Sequence, residues 1–190
     1  MSIVAIFTSL TIASDFALAP VLNVKLMDTL VFSSTYAFGF KIGAYIAVLS
    51  ELIWSFVSPF GNASLIAPFL IAGELIYVVA GYFCSKVWCK DEISILSYRN
   101  LFLGAVLAIC AFLWDFETNL ATGLLVLWPN HVTLLGVLAF EVVGIPFMIP
   151  HELGDFVLGS LLAPIIIAYF WKSSGRERST ESIVTTLESR

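Results

Sequence analysis

The run Leu101–Leu127, LFLGAVLAICAFLWDFETNLATGLLVL, decides the fold class. It is apolar for longer than the about 20 residues a helix needs to cross a bilayer. Past its middle it nevertheless carries Asp115, Glu117 and Asn119. Apolar runs lie on both sides of it: Ile3–Ala19, the short Met27–Phe38, Ile42–Val57, Ala63–Cys84, the weaker Val132–Ile149 and Leu153–Trp171. The chain of 190 residues is 59% hydrophobic and only 12% charged, with mean hydropathy +0.98. A soluble domain carries about a quarter charged residues. The chain therefore belongs in a bilayer, as an all-α bundle.

No soluble module separates from it. The polar stretches are Lys86–Asn100 and Lys172–Arg190, a loop and a tail, so the expected division is a membrane domain at 1–172 and a disordered cytoplasmic tail at 173–190. The apolar start lacks a basic flank and reads as a first span rather than a cleaved signal peptide. A net charge of −5 argues against nucleic acid as a partner. Cys84, Cys89 and Cys110 offer no even disulfide count and read as free thiols. Asn62-Ala-Ser64 fits a glycosylation sequon, a pattern too short to carry weight.

Lys and Arg concentrate on the cytoplasmic side of membrane proteins. Lys86, Lys90 and Arg99 share one loop, and Lys172, Arg176, Arg178 and Arg190 share the tail. Placing both groups inside requires an even number of crossings between Leu101 and Trp171. Six transmembrane helices follow, with both termini cytoplasmic and a short second helix. Val132–Ile149, interrupted by Gly144 and Pro146, becomes an outer connector or half-helix before helix six. Lys41 then lies inside and Lys25 alone outside.

The acids Asp15, Glu51, Glu74, Asp115, Glu117, Glu152 and Asp155 fall within or at the edge of spans, whereas every Lys and Arg lies outside them. An acid near the bilayer centre costs roughly 2.5–3.5 kcal/mol, so the group must meet water, a ligand or one another. The topology puts all of them at the midplane or in the outer half. An outward-facing polar cavity is expected, with His151 and Asp155 four residues apart on one helix face, Glu152 beside them, and Asp115 and Asn119 on a face of the preceding span. Trp54, Trp114 and Trp128 lie at similar depth, where tryptophan also serves as an interface anchor.

Ala5, Ser9, Ala13 and Ala17 recur every four residues along the first span. Such a strip of small side chains lets helices approach closely, either within the bundle or against another membrane protein.

In this arrangement the chain resembles the substrate-binding S components of energy-coupling factor (ECF) transporters. The likeness rests on Ala13-x-x-x-Ala17, Pro20-Val-Leu-Asn-Val-Lys-Leu-Met-Asp28, the Gly39-x-x-x-Gly43 turn, Pro59-Phe-Gly-Asn62, Trp114-Asp-Phe-Glu-Thr-Asn119 and Gly144-Ile-Pro-Phe147. The resemblance implies a multi-pass protein of the cell membrane that captures a vitamin or other micronutrient from outside. It also implies partners: membrane lipid, an ECF T subunit docked through Ser9, Ala13 and Ala17, and two cytoplasmic ATPases. The expected substrate-binding residues are Glu74, Asp115, Asn119, His151, Glu152, Asp155, Trp54, Trp114 and Asn62. With no phosphate-loop motif in the chain, ATP chemistry would belong to the partners. No catalytic residue, cofactor or resident metal is expected.

Several acids, one histidine and no buried Lys or Arg favour a cationic or neutral polar heterocycle, held by tryptophan stacking or cation–π contact. A transition metal is the less favoured cargo, because nickel and cobalt members of the family use an amino-terminal histidine and this chain begins Met-Ser-Ile. Two rivals remain. One is a stand-alone proton-linked carrier using Glu51, Glu74 or Asp115, although no internal repeat supports it. The other is an intramembrane metalloprotease: His151-Glu152 begins an H-E-x-x-H motif in which Asp155 replaces the second histidine, so that His151, Asp155 and either His131 or Asp115 would be the ligands and Glu152 the base.

Overall fold

The structure, a computed structural model, describes residues 2–87, 97–128 and 132–173. Helix covers 88% of these residues, and no strand occurs among them. In chain order the helices are α1 (Ser2–Leu18), α2 (Met27–Phe38), α3 (Phe40–Val57), α4 (Ala67–Val87), α5 (Tyr98–Leu127) and α6 (Leu134–Ser173), with a 3₁₀ turn at Ser64–Ile66 leading into α4. Among the described residues four segments are long and apolar enough to span a membrane: Phe40–Val57, Ser64–Val87, Tyr98–Leu127 and Leu134–Phe170. α1 is apolar but shorter. The outside of the bundle carries large apolar side chains such as Ile109, Phe112 and Phe116 on α5 and Leu135, Val142 and Val143 on α6. Soluble monomers rarely show apolar surface on this scale. The chain is a multi-pass membrane protein.

α2 inverts the usual pattern. It is 12 residues long, and every residue from Met27 to Ala37 is buried, although Asp28, Thr29, Ser33, Ser34 and Thr35 are polar. Helices α1, α3, α4 and α6 pack around it. The Ser34 and Thr35 hydroxyls donate to the Val31 carbonyl, satisfying themselves on the helix's own backbone. Glycines make the close packing possible. A side chain at Gly43 of α3 would collide with the Thr35 hydroxyl, and a Cβ at Gly81 of α4 would stand 2.6 Å from the Phe32 carbonyl oxygen. The chain passes from α2 into α3 at Gly39, whose φ of 96° suits glycine and strains other residues.

α5 and α6 cross where a Cβ on Gly159 would lie 3.0 Å from the Gly104 Cα. Phe7, Phe38 and Phe170 meet at 5.1–5.7 Å between ring centroids and join α1, α2 and α6 away from the polar residues.

The connector expected at Val132–Ile149 is not a separate element. It and the last apolar run form one helix of 40 residues that contains Pro146, Pro150 and Pro164. A proline removes one N–H and disfavours helix in isolation, but α5 packs along α6 and holds it continuous. At 1.5 Å per residue α6 is about 60 Å long, twice the roughly 30 Å of hydrocarbon. Ser173, assigned to the tail, closes this helix, while 174–190 lie outside the described residues, as do Cys89, Lys90 and His131. Cys84 and Cys110 are buried free thiols.

Candidate functional site

The site begins at the amino end of α2. Leu26, at its N-cap, has no side-chain oxygen to receive the first free N–H groups. Asp15 of α1 supplies one: its Oδ1 accepts the Leu26 N–H at 3.1 Å and the Met27 N–H at 3.2 Å. A carboxylate there also complements the positive end of the helix dipole.

Asp28 follows in the first turn and points to α6. Its Oδ2 lies 2.9 Å from His151 Nε2, while the other ring nitrogen, Nδ1, lies 2.9 Å from Asp115 Oδ2 on α5. The imidazole is fully buried between two carboxyl groups. A neutral ring donates from one nitrogen only, so two such contacts require an added proton on the ring or on a carboxyl group. One turn further along α6, Asp155 Oδ2 accepts the Tyr77 hydroxyl of α4 at 2.7 Å. Glu74, three residues before Tyr77 on α4, lies against Asp28, yet neither of its oxygens meets a hydrogen-bond donor. The same is true of both Glu51 oxygens on α3. α1 to α6 each contribute a buried acid or its partner to a single locus.

The expectation that no Lys or Arg reaches the buried acids is corrected by Lys25. It belongs to the loop between α1 and α2, yet its Nζ sits 3.5 Å from the centroid of the Trp114 ring. Burial pulls the Lys25 pKa down. Asp28, Glu51, Asp115 and Asp15 around it outweigh that effect and hold it above its ordinary value. The Trp114 ring meets His151 edge-on at 5.5 Å between centroids and rests against Gly73 of α4, where any side chain would strike the indole. Outside Lys25 opens a small cleft of roughly 50 Å³ lined by Asp15, Asn23, Lys25, Trp54 and Phe60. The loop is tied to α6 by the Asn23 side-chain amide, which donates to the Phe147 carbonyl at 2.9 Å, and by Val24 packed on Gly154.

Of the residues expected at the site, Glu74, Asp115, His151, Asp155 and Trp114 converge here. Trp54 lines the outer cleft, with Phe16 edge-on at 5.2 Å. Glu152 is only partly buried, off the cluster. Asn119 packs against Gly144, two helical turns from His151. Asn62 is exposed, and its Oδ1 accepts the Ser64 N–H at 2.9 Å, holding its own turn. Ala5, Ser9, Ala13 and Ala17 are all exposed, so the strip faces outward from the bundle.

Sequence reasoning left out Asp28, Tyr77 and Lys25. Asp28 lies at the very start of its apolar run, where an acid reads as a cap. Tyr77 carried a signal: it lies three residues from Glu74, on one helix face. Lys25 carried none. Comparison with protein-family models, with curated proteins and with solved structures finds no match to this chain.

Proposed function

We propose that this protein is the substrate-capture subunit of an ECF-type importer, spanning the cell membrane six times with both termini inside and binding a small cationic or polar micronutrient from the outer side. One observation carries the reading: a buried site rich in carboxyl groups lies directly beneath a short loop that is fastened to α6. Asp15, Asp28, Glu51, Glu74, Asp115 and Asp155 stand against Lys25 and His151, so the locus favours a positively charged guest. The outer cleft, with Trp54 at its wall and Trp114 behind Lys25, offers aromatic faces for a heterocycle. Asp115, His151 and Asp155 would bind or orient the substrate, and the exposed Ser9, Ala13 and Ala17 would meet the T subunit. ATP hydrolysis would fall to partner ATPases.

Native mass spectrometry of the gently solubilised protein tests this. A single organic adduct that is lost in Asp155→Asn supports substrate capture; an adduct-free protein that also fails to bind any candidate vitamin would refute it. Replacing Ala13 or Ala17 by Trp should abolish uptake in cells while leaving adduct binding intact. Normal uptake by both variants would remove the docking role. Glu51, buried with both oxygens lacking a donor, favours a second reading, a stand-alone proton-linked carrier. Uptake that persists without any ATPase partner and collapses with the proton gradient would select it.

A further inference from the structure

We propose that Asp28, His151 and Asp155 bind one divalent first-row transition-metal ion, with Asp115 and Tyr77 as the outer groups that aim the ligands. One ligand atom from each of the three residues lies within 4.8 Å of the others, and all three side chains are fully buried. Two ligands at about 2.1 Å from one ion and at right angles stand ~3.0 Å apart. His151 Nε2 and Asp28 Oδ2 are 2.9 Å apart. The ion would replace the proton that now joins them.

The surroundings match what metal-bound histidine requires. A ligating imidazole nearly always gives its second N–H to a carboxylate, a backbone carbonyl or water, which fixes the tautomer and turns the free nitrogen toward the metal. Asp115 Oδ2 occupies that position at 2.9 Å from Nδ1. The Tyr77 hydroxyl holds Asp155 by Oδ2, which leaves Asp155 Oδ1 free. Asp155 Oδ1 and Asp28 Oδ1 are buried without a hydrogen-bond partner. Such groups are costly to leave unpaired, and a cation would satisfy them together. Imidazole with carboxylates suits zinc, manganese, iron, cobalt or nickel, whereas calcium and magnesium prefer oxygen alone.

The test uses the full chain in detergent, purified without a polyhistidine tag, stripped with chelator and titrated with Co²⁺. One Co²⁺ per chain, with the visible absorption of nitrogen–oxygen ligation, is expected. Asp115→Asn should weaken binding 10- to 100-fold while keeping the stoichiometry. His151→Ala and Asp155→Asn should abolish binding. A wild-type chain that retains no ion at micromolar Co²⁺, or unchanged binding in both of those variants, would overturn the proposal. Should either variant misfold, the wild-type site decides the matter. The chain has 2 histidines, so in His131→Ala the sole imidazole is His151. Pulsed EPR of that chain loaded with Cu²⁺ must show imidazole nitrogen coupling, and its absence rejects the site. The inference stands on ligand geometry alone, so its failure leaves the transport reading to the adduct experiment.

Discussion

Tyr77 is the donor that Asp155 relies on, and Tyr77→Phe removes it without changing the ring. A buried carboxyl oxygen left without its donor costs about 1–3 kcal/mol. The variant should elute like wild type from a sizing column yet melt earlier in detergent, and an unchanged melting point would mean that Asp155 does not depend on this bond. Lys25 makes a prediction in pH. Its folded pKa is raised, so its stabilising effect is complete below the unfolded value of about 10.4 and is lost as pH rises through the folded one. Wild type should lose thermal stability in that alkaline window; Lys25→Gln should be less stable at neutral pH and show a flatter alkaline fall. Individual residues were unevenly legible. His151, Asp155, Asp115 and Glu74 stood out because an acid or imidazole in an apolar run must meet a polar partner. Lys25 reaches the site only through the course of a loop, and loops have no periodicity from which to read direction.

Among the elements, the run Met27–Phe38 is α2 residue for residue, and the runs read for α3 and α5 end at Val57 and Leu127 as those helices do. Such agreement follows from punctuation: Gly39 and Pro59 end their segments for backbone reasons that the sequence displays. α6 was misread for the same reason, since Gly144, Pro146 and Pro150 are breakers that packing against α5 overrides. Close helix contacts make a further prediction. Gly73→Ala places a methyl group where the Trp114 indole lies. Overpacking of this kind costs about 1–3 kcal/mol. A lowered melting point with altered near-ultraviolet circular dichroism is expected, and a wild-type spectrum would show that α4 has room to spare there.

For the whole molecule, apolar exterior and polar centre are two sides of one design in which lipid meets α3, α4, α5 and α6 while the titratable groups face inward around α2. The proposed orientation places Asn62 outside and Lys86 inside. Single cysteines introduced at these positions in a background lacking the native thiols should react with an impermeant reagent from opposite faces of sealed vesicles, and labelling from one face would invert or refute the topology. The enclosure of α2 bears finally on how the protein is made. At 1.5 Å per residue its 12 residues reach about 18 Å, too short and too polar to partition into lipid as they leave the ribosome. Its covering includes α6, the last described helix to be synthesised. Biogenesis must therefore hold α2 in waiting, and a nascent chain stalled before Leu134 should leave it open to protease that the finished chain excludes.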